Sequence, residues 1–166
     1  MFRLEQETAE DEWEIEYLLD LAFAPGRKAL SSYRLREGVE PVRDLCLVAR
    51  DDLGVLAGAV RFWPIVIGEK RAPALLLGPI AVHPTRQGEG LGGLLIEESL
   101  DKARSQNWNL VILIGDEPYY RRFGFEKAIL KSITFPEPTN PDRILLRELV
   151  PGAAQGVEGL VKSQLG

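Results

Sequence analysis

Hydrophobic and polar positions change period several times along the chain, and each change predicts an element. Phe2-Arg3-Leu4 alternates as a short first strand. Thr8-Ala9-Glu10-Asp11 reads as a helix start, with Thr8 as N-cap and Asp11 three positions on. Ile15, Leu18, Leu19, Ala22 and Phe23 recur at helical spacing until Pro25-Gly26 stops the run. A more polar helical stretch covers 27–36, and Glu40-Pro41 leads into extended chain. Strands then dominate. Leu45–Ala49 and Val55–Ile67 flank the hairpin turn Asp51-Asp52-Leu53-Gly54, and Gly68-Glu69-Lys70-Arg71 turns the chain into Pro73–Val82. That last run is apolar on both faces, as expected of a central strand covered on both sides. Gly88–Arg104 is a helix with Leu91, Leu94, Leu95, Ile96, Leu100 and Ala103 inward, and Glu98 and Lys102 paired outside at i,i+4. Leu110–Ile114 is a buried strand, Pro118–Phe123 a short helical or turn segment, Phe135–Pro141 a loop, and Ile144–Leu149 a last strand. The order β-α-α-β-β-β-α-β-α-β predicts a mixed sheet in one layered α/β domain.

Length and composition narrow the chemistry. The 166 residues suit one domain, and 45% hydrophobic with 27% charged residues is the mix of a globular chain that needs no disulfide or metal staple. A net charge of -5 argues against broad, sequence-blind nucleic-acid binding. Cys46 is the only cysteine and His83 the only histidine, which excludes an internal disulfide, a cysteine zinc cluster and a multi-histidine metal site. Cys46, in Leu45-Cys46-Leu47-Val48, reads as a buried small hydrophobe. Five acids in the first twelve residues are unlike a signal peptide, and the longest apolar stretch, Ala74 to Val82, is far short of a membrane span. A cytoplasmic location without membrane attachment is the expectation.

The informative segment runs from Gly78 to Gly93. A buried strand ends, a short loop follows, and Gly88, Gly90, Gly92 and Gly93 open a helix. Such a turn offers backbone N–H groups at the positive end of a helix dipole, a cradle for phosphate or pyrophosphate. The bland alternative is a glycine turn that lets helix pack on sheet. Gly88-x-Gly90-x-x-Gly93 also satisfies the dinucleotide pattern, with Asp116 ending the next strand. Two features oppose that reading: His83 to Gln87 separate strand from glycine, and too little chain follows Asp116 for a second nucleotide-binding half. No Gly-Lys-Ser/Thr is present for a P-loop.

Gln87-Gly88-Glu89-Gly90-Leu91-Gly92 matches the acyl-CoA signature Q/R-x-x-G-x-G/A, and Tyr119-Tyr120-Arg121-Arg122-Phe123-Gly124-Phe125 contains Tyr-x-x-x-Gly-Phe about 30 residues downstream. On these two motifs the chain resembles the GNAT superfamily of N-acetyltransferases, and is most like its bacterial YhbS-like subgroup through Leu77–Pro84, Gly115–Phe125 and Tyr33–Gly38. The resemblance covers roughly residues 2–150. It implies a mixed, mostly antiparallel sheet flanked by helices on both faces, a GNAT domain over 1–150, and a C-terminal extension of the same domain over 151–166.

The resemblance also implies roles. Main-chain groups of Ile80, Ala81 and Val82 would hold the pantetheine arm and the thioester carbonyl of acetyl-CoA, without metal. Gln87, Gly88, Glu89, Gly90, Leu91, Gly92 and Gly93 would wrap the pyrophosphate. Tyr120 would be the general acid that protonates the departing thiolate, with Tyr119 as fallback. The strand Ala74–Val82 carries no carboxylate for a base; His83 has a suitable titration range, but its place before Pro84 favours a structural role, leaving water to relay the proton. The family's asparagine after the fifth strand is replaced by Asp116-Glu117-Pro118. Arg34, Arg61, Phe62 and Trp63 are candidates to wall an acceptor site. The implied activity is acetyl transfer to a primary amine, small-molecule or peptide, by a monomer or homodimer. A non-catalytic acyl-CoA-binding module on the same fold remains the alternative.

Overall fold

The computed structural model describes residues 1–23, 27 and 30–166. Among these residues nine strands are found: β1 (Arg3–Gln6), β2 (Leu47–Arg50), β3 (Leu56–Ile67), β4 (Ala72–Val82), β5 (Leu110–Ile114), β6 (Glu126–Lys127), β7 (Ile133–Thr134), β8 (Ile144–Glu148) and β9 (Gly159–Ser163). The helices are α1 (Glu12–Ala22), α2 (Ser31–Arg34), α3 (Leu91–Ser105) and α4 (Glu117–Tyr120). The strand order is β1-β2-β3-β4-β5-β8-β6, with β9 beside the far end of β3 and β7 beside β9. All the pairings are antiparallel except β4 with β5 and β7 with β9. The mixed sheet with mostly antiparallel pairing is the one the sequence predicts.

Local chemistry explains most boundaries. Asp11 accepts from the Thr8 N–H at 2.8 Å, the predicted reach-back, but the turn it closes is a 3-10 turn (Ala9–Asp11) that leads into α1. The Pro25-Gly26 stop lies outside the described residues, as does part of the polar helical stretch 27–36, of which Ser31–Arg34 is helical. Arg43–Leu45 is a 3-10 turn, so β2 starts two residues later than the hydrophobic run. Gly88 and Gly90 have φ of +89° and +77° and stay out of α3, whereas Gly92 and Gly93 lie in its first turn. Leu94, expected inward, is 40% exposed. β9 is a strand the sequence reading lacks. It pairs with Ile65–Ile67, along the same edge of β3 as β2 and beyond where β2 ends.

The core forms on both faces of the sheet. Leu75 and Leu77 of β4 and Val111 and Leu113 of β5 pack with Leu91, Leu95, Ile96 and Leu100 of α3. Ala74, Leu76, Leu110 and Ile112 face the other way, against Leu35, Ile133 and Phe135. Ile15, Leu18 and Leu19 of α1 cover Val48, Leu56, Ala59 and Ala81. Gly58 lets α3 come close: a Cβ there would lie 3.0 Å from Leu95 Cδ1. Arg50 ties α1 to β2, bonding Asp11 at 2.7 Å and Glu14 at 2.8 Å.

Two irregularities in β4 prepare the site. Val60 faces Ile80 but Phe62 faces Leu77, so Gly78 and Pro79 together oppose Arg61 in a bulge on β4. Proline has no N–H for the ladder and is tolerated at such a point. The extra residue inverts the phase: Leu77 faces α3 before the bulge, and Ile80 and Val82 do so after it. The second irregularity is that β4 and β5 share only the rungs Leu75–Val111 and Leu76–Ile112 before they part.

Leu95 is fully buried between α3 and the sheet. Leu95→Ala is expected to destabilise the fold by about 2–5 kcal/mol through lost contacts and a residual cavity. Chemical denaturation measures this, with an unchanged m-value if the native state stays compact.

Candidate active site

The parting of β4 and β5 leaves main-chain groups to be satisfied. His83 N–H donates to Ala57 O at 2.8 Å, which marks the pair 57–83 as hydrogen-bonded. Antiparallel alternation then directs the N–H and C=O of Ala81 to β3, and those of Ile80 and Val82 away from β3 into the opening. Ala81 is buried under α1, whereas Ile80 and Val82 are half-buried. The sequence reading treated these three residues alike. Their register separates them.

Two clefts meet in this opening. One, of about 600 Å³, runs along the glycine turn and is lined by Val82, Gln87, Gly88, Gly90 and Gly93 among others. The other, of about 760 Å³, lies between the residues around α2 and the ends of β4 and β5. Ile80, Tyr119 and Tyr120 line both.

The glycine turn is held open and rigid. A Cβ on Gly88 or Gly90 would meet nothing within 4 Å, so the space in front of these amides is free. Arg86 grips the loop from behind, bonding Glu89 at 2.8 Å and Asp51 of the β2–β3 turn at 3.0 Å, with its guanidinium 4.7 Å from the Phe2 ring centre. The Arg86 guanidinium holds the Glu89 carboxyl below its usual range, so its negative charge faces a cation. His83 caps the preceding turn, its Nδ1 accepting from Thr85 N–H at 3.2 Å. That is the structural role expected of it. Leu91 is a core residue and contributes through its place at the start of α3.

Tyr120 reaches the junction because α4 follows β5 directly. Its ring packs edge-on against Tyr119, with centres 4.9 Å apart, and against Phe125 at 6.0 Å. Gly115 makes room for it: a Cβ there would collide with Tyr120 Cε2 and lie 2.9 Å from Cδ2. Among the described residues, no hydrogen-bond partner holds the phenol. Burial, with Tyr119 beside it, pushes its pKa up to about 12, so it is protonated at neutral pH. The Tyr119 hydroxyl points instead toward the start of α3, 3.2 Å from where a Gly92 Cβ would be.

Some residues arrive that the motifs did not single out. Arg122 stacks on Tyr119, 4.7 Å from its ring centre, and lines the glycine-turn cleft as a cation. Asp116, Arg143 and Arg36 line the larger cleft. Of the acceptor-wall candidates, Arg61 is bound to Glu7 at 3.1 Å, Phe62 is core, Arg34 bonds Glu137 O, and Trp63 donates to Gly78 O at 2.7 Å. None of these four lines the larger cleft. Cys46 is buried, and burial raises its thiol pKa to about 11, consistent with a packing role.

The Acetyltransferase (GNAT) domain family matches residues 4–128. The N-acetyltransferase YhbS of Escherichia coli K12 is 32% identical over 148 residues, 89% of this chain and 87% of that one. The chain belongs to the GNAT acetyltransferase family. It is therefore an acyltransferase with the mixed α/β fold of that family. The crystal structure of E. coli YhbS in complex with CoA superposes with a TM-score of 0.86 at 30% identity, covering 98% of this chain and 89% of that one. A GNAT acetyltransferase from Brucella melitensis, in complex with acetyl-CoA, gives 0.75 at 28% identity, covering 99% and 96%. Among the described residues no helix is long and apolar enough to cross a membrane.

Gly115→Ala is expected to push the Tyr120 ring out of its seat. The overpacking should cost about 1–3 kcal/mol. With Tyr120 in the role proposed below, turnover should fall by on the order of 10²-fold. Thermal unfolding and steady-state rates check both. Wild-type values in each would mean that the ring position is not constrained by Gly115.

Proposed function

We propose that the protein transfers the acetyl group of acetyl-CoA to a primary amine, of a small molecule or a peptide, by direct attack of the amine on the thioester. The carrying observation is the meeting of two clefts at Tyr120, one floored by open glycine amides and the other by the unpaired end of β4. Relatives that hold CoA and acetyl-CoA support the same reading. The residues present suit that cosubstrate. Amides from Gln87 to Gly93 would take the pyrophosphate at the α3 N-terminus, where the helix dipole favours an anion. Arg122 adds a cation on the same cleft wall. Ile80 and Val82 would pair with the pantetheine amides as a further strand would, and one of their N–H groups would meet the thioester oxygen as it gains charge.

Acetyl-CoA supplies an activated acyl carbon. The amine arrives through the larger cleft and forms the C–N bond as the C–S bond breaks. Tyr120, protonated at neutral pH, donates to the departing thiolate. The proton from the amine leaves to water through the open cleft, where Asp116 is an exposed carboxylate. The cytoplasm, with its supply of acetyl-CoA, is the compartment we assign.

Gly90→Val should abolish CoA binding, because a branched side chain at φ +77° is strained and would occupy the space of the ligand. Isothermal titration with CoA measures this; normal affinity in a folded variant would move the cradle elsewhere. Tyr120→Phe should keep acetyl-CoA affinity within a few fold and lower kcat by about 10²–10⁴. With the phenol near 12, wild-type kcat should show no loss from Tyr120 deprotonation below about pH 10. Acetyl-CoA binding without turnover of any amine would favour the non-catalytic module instead.

A further inference from the structure

Arg36 lines the larger cleft and, among the described residues, has no ion-pair partner. It lies in the turn after α2, with its guanidinium 4.0 Å from the Tyr33 ring centre and 5.6 Å from that of Trp63. Its Nε is buried and has no hydrogen-bond partner among the described residues, and no carboxylate among them forms an ion pair with the guanidinium. Three acids of α1 are engaged elsewhere: Glu16 and Asp20 hold Arg27, Glu14 holds Arg50, and Glu16 also approaches Arg61. Glu16 and Glu37 line a smaller cleft on the other side of Arg36 but form no ion pair with it among the described residues. Burial draws the Arg36 pKa down to about 10, opposed by Tyr33, so it remains a cation at neutral pH.

The guanidinium borders the β4 bulge. A Cβ on Gly78 would lie 3.3 Å from its terminal nitrogen, so the missing side chain leaves the cleft open beside it. Arg143, exposed and without an ion pair among the described residues, lines the same cleft. Asp116 is the one acid on that described lining, and it stands on the side of α4, next to Tyr120. A buried guanidinium nitrogen without a partner is costly, and the cost is relieved when an anion enters. Stacking on Tyr33 fixes the guanidinium plane, which suits the two-pronged bonding of a carboxylate.

We propose that Arg36 receives a carboxylate of the acceptor, and that the acceptor is a small amino acid-like molecule carrying amine and carboxylate together. The volume of the cleft, about 760 Å³, is in the range that holds a small molecule. The inference rests on the reading of this cleft as the acceptor site.

The test compares L-amino acids with their C-terminal amides as acceptors, read by CoA-thiol release. In parallel, calorimetry compares N-acetyl-amino acids with their amides as ligands of the CoA complex. The acids should exceed the amides by roughly 10²-fold or more in kcat/KM and in affinity, the usual worth of a buried charge pair. Arg36→Met should remove that ratio chiefly through KM, with kcat and acetyl-CoA affinity preserved, and Arg36→Lys should restore part of it. Should Arg36→Met fail to fold, Arg36→Gln and Arg36→Lys carry the comparison. Amides equal to acids in the wild type, no acid bound by the CoA complex, or an acid preference that survives at Arg36→Met would each overturn the proposal. Loss of the acetyl-transfer reading is distinguishable. It would appear as wild-type protein that does not bind acetyl-CoA, and binding of the acids to the protein alone would then still test Arg36.

Discussion

Two parallel strands that share two rungs and then diverge govern this molecule. A buried strand end with unpaired N–H and C=O groups is costly unless water or a ligand meets them. Here the divergence is built in. The bulge at Gly78-Pro79 displaces β4 by one residue against β3, and α4 with its two tyrosines enters where β5 would have continued. The sheet remains intact elsewhere because β3 is long enough to take β2 along its first half and β9 along its second. The opening is thus bounded by rigid elements, which is what a site needs if its groups are to stay aimed.

Electrostatics is distributed with the same economy. α1 brings acids to Arg27, Arg50 and Arg61, and the pairs with Arg50 and Arg61 fasten the helix to the sheet. Arg86 fastens the glycine loop. Around the opening the cations Arg36, Arg122 and Arg143 stand without ion pairs among the described residues, although the whole chain carries a net charge of -5. The positive charge is local to the clefts, and the negative charge is spent on holding the frame together or lies on the surface.

How much of this is legible in the sequence depends on range. The glycine turn and Tyr120 are local patterns; the turn lines the smaller cleft and Tyr120 stands where the two clefts meet. The helical period of α3 and the apolar run of β4 were equally readable, because burial imprints them residue by residue. The bulge was not, although Gly78-Pro79 is a break signal inside a strand; the run reads through it because Leu77 and Ile80 are both apolar. β9 is five residues with glycine at its start, too short to show alternation, and it exists because β3 offers it an edge. Arg36 and Asp116 are 80 positions apart by number and share a cleft, a proximity no local pattern encodes. Arg122 was in the quoted motif, yet only the stack on Tyr119 turns it toward the glycines.

The triad of Arg86, Glu89 and Asp51 has a bearing on how fast the site can work. These three side chains lock the glycine loop to the β2–β3 turn before any ligand arrives. Much of the loop's ordering is therefore completed during folding, and a phosphate group bound there, as proposed, would lose less of its binding free energy to that step. On the proposed reading, such a loop asks for no lid to close over the cosubstrate.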